Sequence, residues 1–210
     1  MVRKFIRITL QTLCALLCLL LTFIFFTLVF GGKDLTTLQN HPSRGYPQHV
    51  YHALISAEDP KFSDSFLRRN TCIITEKRCD YTLRHWALGH LTTDERPDLR
   101  RLSHTLHYTI ALPRANLTVK PRQFLDYALD TSYYGNGATG ISAAAHIHFD
   151  TTSDALTIAQ AAQLAALLRS PSIYSGDRNQ WANRTRSVLK TMQAKAFITD
   201  AQYTAALNAL

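Results

Sequence analysis

Between Ile8 and Gly32 the chain carries no charged residue, while every Asp and Glu lies at or beyond Asp34. As a helix, Ile8 to Phe30 reaches about 34 Å, slightly more than the roughly 30 Å hydrocarbon core of a bilayer. Arg3, Lys4 and Arg7 precede it, and the positive-inside tendency keeps them cytoplasmic, which sends Lys33 onward to the far side. The run exceeds the apolar core of a secretory leader, and Leu28-Val29-Phe30-Gly31-Gly32 has no clear small-x-small cleavage site, so the expectation is a retained single-pass anchor.

The remainder is long enough to bury a core without metal or disulfide support. The composition, 46% apolar and 18% charged over 210 residues, excludes collagen-like, low-complexity and wholly disordered chains. Setting aside the three anchor-flanking basic residues leaves 20 Lys and Arg against 15 Asp and Glu, a net +5. Such a field favours anionic partners. An exported, tethered domain seldom meets nucleic acid, so phosphate at a membrane surface is the better fit. Cys72 and Cys79 fall in a polar exported stretch and suit a short-loop disulfide; Cys14 and Cys18 share one face of the apolar helix and act as small apolar residues.

Residues 1–32 are therefore read as cytoplasmic tip and anchor, 33–47 as a polar juxtamembrane linker, and 48–210 as one domain. His49 to Asp59 has helical apolar spacing that ends before Pro60. Pro121 opens a second helix, Gly135-Asn136-Gly137 with Gly140 makes a turn, and Ile141 to Phe149 resumes as helix. Thr157 with Gln160 forms a capping box for a helix that stops near Ser170. Helices follow from about Trp181 to Ala196 and over Thr199 to Ala206. With no sustained alternating pattern, the domain is mainly α.

The chain has only three glutamates, Glu58, Glu76 and Glu95. Glu58 sits in the last turn of an apolar helix, where the dipole's negative end and partial burial both disfavour ionisation. A carboxylate tuned upward suits proton transfer at a sugar hydroxyl. His146-x-His148 and His104-x-x-His107 lack the facing or the partners of a metal site, so no metal site is expected. Trp86 and Trp181 read as core anchors, and the sequons at Asn116 and Asn183 as incidental.

Four blocks then stand in a telling order: Ala53-Leu-Ile-Ser-Ala-Glu-Asp-Pro-Lys-Phe62, Tyr133-Tyr-Gly-Asn-Gly-Ala-Thr-Gly-Ile-Ser-Ala-Ala-Ala145, Leu156-Thr-Ile-Ala-Gln-Ala-Ala162 and Ser170-Pro-Ser-Ile-Tyr174. Val188-Leu189, Met192 and Phe197-Ile198-Thr199 follow. The chain resembles the peptidoglycan glycosyltransferases, family 51, found in class A penicillin-binding proteins and monofunctional transglycosylases. The resemblance implies a lysozyme-like helical fold on the outer side of a bacterial inner membrane. It also implies inverting transfer from lipid II, with Glu58 deprotonating the acceptor 4-hydroxyl as undecaprenyl diphosphate leaves, and Mg²⁺ as a possible aid. Asp59, Phe62, Ser103, Gly135, Asn136 and Gly137 would bind substrate.

The sequence also departs from the family. Ser65 replaces a customary histidine, Arg101 to Tyr108 stands for the Gly-Gly-Ser-Thr-Ile-Thr-Gln-Gln stretch, Gln160 replaces Glu, and Asp130 replaces Asn. The interval from Ser103 to Gly135 is shorter by about twenty residues, some 30 Å of helix, and lacks the Arg-Lys-x-x-Glu block with its second glutamate. Glu95, Asp98, Asp126 and Asp130 are the carboxylates nearest the loss. The reading that follows is a divergent, catalytically degenerate member that binds lipid II, glycan strands or other wall-synthesis proteins. The alternative is an active lipid II polymerase with Glu58 as base, and the third reading is lysozyme-like glycan cleavage by a lone glutamate.

Overall fold

The computed structural model describes residues 2–30, 35–58, 115 and 117–210, with side chains of the first helix described over 11–25. Helix α1, Val2–Phe30, is continuous for 29 residues. Its described leucines and phenylalanines are exposed, from Leu13 to Phe25. Thr22 in the middle of it donates to the carbonyls of Cys18 and Leu19, each at 2.9 Å, so its hydroxyl is satisfied within the helix. Among the described residues no helix is long and apolar enough to cross a membrane; the backbone helix itself continues on both sides of that stretch.

Segment 33–47, read as a polar juxtamembrane linker, carries a short helix over part of its length. Helix α2, Leu35–Gln39, buries Leu35 and Leu38, three apart and hence on one face. Helix α3, Gln48–Glu58, follows, then α4, Pro121–Thr131, and α5, Ile141–Phe149. A 3₁₀ turn, Ser153–Ala155, leads to α6, Ile158–Leu167, α7, Pro171–Gly176, α8, Arg178–Ala194, and α9, Asp200–Asn208. Among the described residues the only β pairing is an isolated bridge between Tyr133 and Thr139. The domain is mainly α, as the sequence suggests.

Helix α6 is the central rod, packed on both α3 and α8, which also pack on each other. Its alanines at 159, 161, 162, 165 and 166 are buried, and small side chains let the neighbouring helices approach closely while Leu164 and Leu167 fill the remaining space. From α8, Thr185, Val188, Leu189 and Met192 lie three or four apart and form one buried face. From α3, Tyr51 and Leu54 complete the centre.

The capping box opens α6 as its sequence indicates: Gln160 N donates to Thr157 Oγ1 at 3.2 Å, and Thr157 N to Gln160 Oε1 at 2.9 Å. Helix α8 begins earlier than its apolar period indicates, because Asp177 accepts from the amides of Asn179 and Gln180 and sets the start at Arg178. Those bonds hold the Asp177 carboxyl below its ordinary pKa. Helix α7 was not expected at all. Trp181 is anchored as foreseen: its Nε1 donates to Gln163 O at 2.8 Å and its ring packs with Phe149 and His148.

Candidate active site

Glu58 ends α3, the helix wedged against α6 and α8. Its side chain is only 20% exposed, and its Oε1 makes no hydrogen bond among the described residues. Burial pushes the carboxyl above its ordinary pKa, opposed by the nearby positive charges of Arg184 and Arg169. Arg184 comes from α8: its Nη2 donates to Ala57 O at 2.7 Å and stands 3.8 Å from Glu58 Oε1. Arg169 comes from the residues between α6 and α7. The arrangement is one part-buried carboxylate with two guanidinium groups near it, a set able to accept a proton and to attract an anionic leaving group.

The glycine turn is built as its residue types require. Gly135, Asn136, Gly137 and Gly140 all have positive φ, at 81°, 51°, 79° and 82°. Tyr134 N donates to Ala138 O and Ala138 N to Gly135 O, both at 2.8 Å, while Tyr134 is fully buried. A side chain on Gly135 would lie 3.0 Å from both Pro171 O and Ser175 Oγ, so this glycine lets the turn rest directly on α7.

Two of the carboxylates considered as replacements for a second glutamate are engaged elsewhere. Asp126 is completely buried and receives the Tyr51 hydroxyl, whose pKa is pushed up to about 12, chiefly by burial and then by that bond. Asp130 receives His41 Nε2 at 3.0 Å, Arg44 Nε at 2.9 Å and the Tyr46 hydroxyl. All three partners precede α3 in the chain, and Tyr46 folds back on Tyr51, its backbone N–H donating to the Tyr51 hydroxyl at 3.1 Å. A polar cleft of about 380 Å³ opens there, lined by Arg44, Tyr46, Asp130, Ser142, Ser153 and Asp154 among others; Glu58 is not part of it.

Asp59, Phe62, Ser103, Glu95, Asp98, His104, His107, Trp86, Asn116 and the cysteines Cys72 and Cys79 lie outside the described residues. His146 sits 3.4 Å from Asp150, and His148 Nε2 is 3.0 Å from Tyr134 O, so each has a protein partner. Arg184, which carries no motif in the sequence, is the guanidinium that the fold brings to within 3.8 Å of Glu58 Oε1. Only its position one turn before the Val188-Leu189 pair hinted at a side chain aimed back at the core.

The transglycosylase family model matches residues 92–193. The chain is 32% identical over 105 residues to penicillin-binding protein 1A of Clostridium novyi, covering 47% of this chain and 12% of that protein. It is 30% identical over 159 residues to the biosynthetic peptidoglycan transglycosylase of Nitrosomonas europaea, covering 70% of this chain and 64% of that protein. This chain belongs to the peptidoglycan transglycosylase family. A monofunctional glycosyltransferase of Staphylococcus haemolyticus is 34% identical over 97 residues, 42% of this chain and 36% of the relative. The chain thus spans about an eighth of the first of these relatives and less than two thirds of the second.

Proposed function

We propose that this protein is a membrane-anchored peptidoglycan glycosyltransferase that transfers a hexosyl group from lipid II to the end of a glycan strand, with Glu58 as general base. The observation that carries the reading is the state of Glu58: part-buried, raised in pKa, with Oε1 unpartnered among the described residues and two arginines near it. A neutral sugar hydroxyl is a poor nucleophile and gains from a positioned base, while a departing diphosphate gains from nearby positive charge. The family membership supports the reaction class, and the glycine turn on α7 offers a rigid wall on which substrate could rest.

The donor set bears on Mg²⁺. Among the described residues no group of three or more His, Cys, Asp or Glu could hold a metal, and the surroundings of Glu58 are guanidinium groups, which suit an anion rather than a divalent cation. We assign charge compensation for the departing diphosphate to Arg169, the second guanidinium near Glu58.

The uncharged stretch from Ile8 to Phe30, carried on a continuous helix with exposed leucines, supports a single-pass anchor in the inner membrane with the domain outside the cytoplasm. Protease added to spheroplasts should digest the domain; survival of the domain would overturn this topology.

A second reading, binding of lipid II or glycan without turnover, is favoured by the engagement of Asp126 and Asp130 away from Glu58. Purified full-length protein given lipid II decides between them. Polymer formed by the wild type and lost in Glu58→Gln supports the enzyme. Equal binding by both with no polymer from either supports the binder.

A further inference from the structure

Arg184 and Glu58 are buried to nearly the same degree, with side chains 22% and 20% exposed, although 126 positions separate them in the chain. The two are linked by a single nitrogen. Arg184 Nη2 donates to Ala57 O at 2.7 Å while standing 3.8 Å from Glu58 Oε1. Ala57 O lies in the last described turn of α3, one residue before Glu58. A cation there complements the helix dipole and fixes the backbone from which Glu58 projects.

The longer of the two distances is as informative as the shorter. At 3.8 Å the guanidinium is beyond hydrogen-bond range of the carboxylate oxygen, so it supplies charge without occupying the lone pair. A buried glutamate with no cation nearby would hold its proton and could not act as a base. One clamped in a bidentate pair would be too weak a base. An arginine held on the neighbouring carbonyl avoids both conditions. Lysine would keep the charge but not the planar, fixed geometry of the guanidinium.

We propose that Arg184 is a positioning residue: anchored on Ala57 O, it favours the charged form of the Glu58 carboxylate and aims it without engaging it. The inference rests on the reading of Glu58 as base. Among the described residues the charged groups facing Glu58 are Arg184 from α8 and Arg169 just beyond α6. Helix α6 itself carries no titratable side chain over Ile158–Leu167. On α3 the nearest titratable neighbour is His52, stacked on Phe197 at 3.9 Å between ring centroids.

Because the chain has only three glutamates, ¹³C-glutamate labelling of the full-length protein in detergent gives three carboxyl signals, and Glu58→Gln identifies one of them. Its titration is then followed in wild type, Arg184→Gln, Arg184→Met and Arg184→Lys. Methionine keeps apolar volume should glutamine prevent folding. Loss of the charge is expected to raise the Glu58 midpoint by about one pH unit or more, leaving the other two signals in place. The acidic limb of the kcat/KM profile should move with it, and Arg184→Lys should restore the midpoint in part. An unchanged Glu58 midpoint in a folded charge-removing variant overturns the proposal. A polymerisation rate unaffected by Glu58→Gln overturns the underlying reading instead, so the two failures are distinct.

Discussion

Arg44 and Asp130 lie 86 positions apart, yet Arg44 Nε donates to Asp130 Oδ2 at 2.9 Å. The same carboxylate receives His41 and the Tyr46 hydroxyl, so one side chain on α4 pins the stretch that joins α2 to α3. The start of α3 is thereby fixed by Asp130, as its end is fixed by Arg184.

Removing that carboxylate should loosen the joining stretch. Asp130→Ala leaves the part-buried Tyr46 and His41 without their acceptor, and an expected loss of about 2 kcal/mol should appear in urea unfolding of the detergent-solubilised protein. Arg44→Ala should cost much less, since Arg44 is 54% exposed and screened by water. Equal losses for the two variants would show that the ion pair, not the Tyr46 and His41 bonds, holds the segment.

Gly140 and Gly137 both have φ near +80°, but their surroundings differ. A Cβ on Gly140 would come within 2.7 Å of the Asp130 carbonyl oxygen, whereas one on Gly137 would meet nothing within 4 Å. Gly140→Ala combines backbone strain with a clash against main chain and should cost about 3 kcal/mol, against about 1 kcal/mol for Gly137→Ala. Thermal midpoints of the two variants check the ranking. A reversed order would mean that the turn relaxes away from α4 freely.

The contrast between what could and could not be read from the sequence follows the range of the interactions. Helices α3, α4, α5 and α6 were legible because period, Pro121 and the Thr157–Gln160 box are local signals. Helix α2 was not, since Leu35 and Leu38 are two apolar residues in a polar stretch and only burial against distant chain makes them helical. Glu58 was legible from its place in a helix end, while its partner was not, because the contact joins α3 to α8 across 126 positions and no local pattern records it. Asp130 looked like a spare carboxylate for the same reason: its three partners precede α3.

The capping box gives a test of whether a departure from the family matters. Gln160 stands where Glu is usual, but its Oε1 takes the Thr157 amide as a glutamate would. Gln160→Glu should change stability by less than about 0.5 kcal/mol, while Thr157→Ala should cost about 1 kcal/mol. Paired unfolding curves distinguish them. A large effect of Gln160→Glu would assign residue 160 a role beyond the cap.

Glu58→Gln tests whether this side chain serves chemistry or the fold. Its pKa is raised in the native state, mainly by burial. The native protein therefore retains a proton that the unfolded chain gives up, and the resulting stability is full below the ordinary carboxylate pKa and is lost as pH rises through the raised native value. Glutamine has no such loss. Relative to wild type, the variant should gain stability as pH is raised across that window, by about 1.4 kcal/mol for each unit of elevation, measured by urea unfolding at a series of pH values. Lipid II polymerisation should fall by roughly 10² to 10⁴ in the same variant. A residue whose replacement improves the fold while abolishing turnover is held in place for its reaction. Should Glu58→Gln instead lose stability above the carboxylate range, the ionised group would be a structural partner of Arg184, and its assignment as the base would fall.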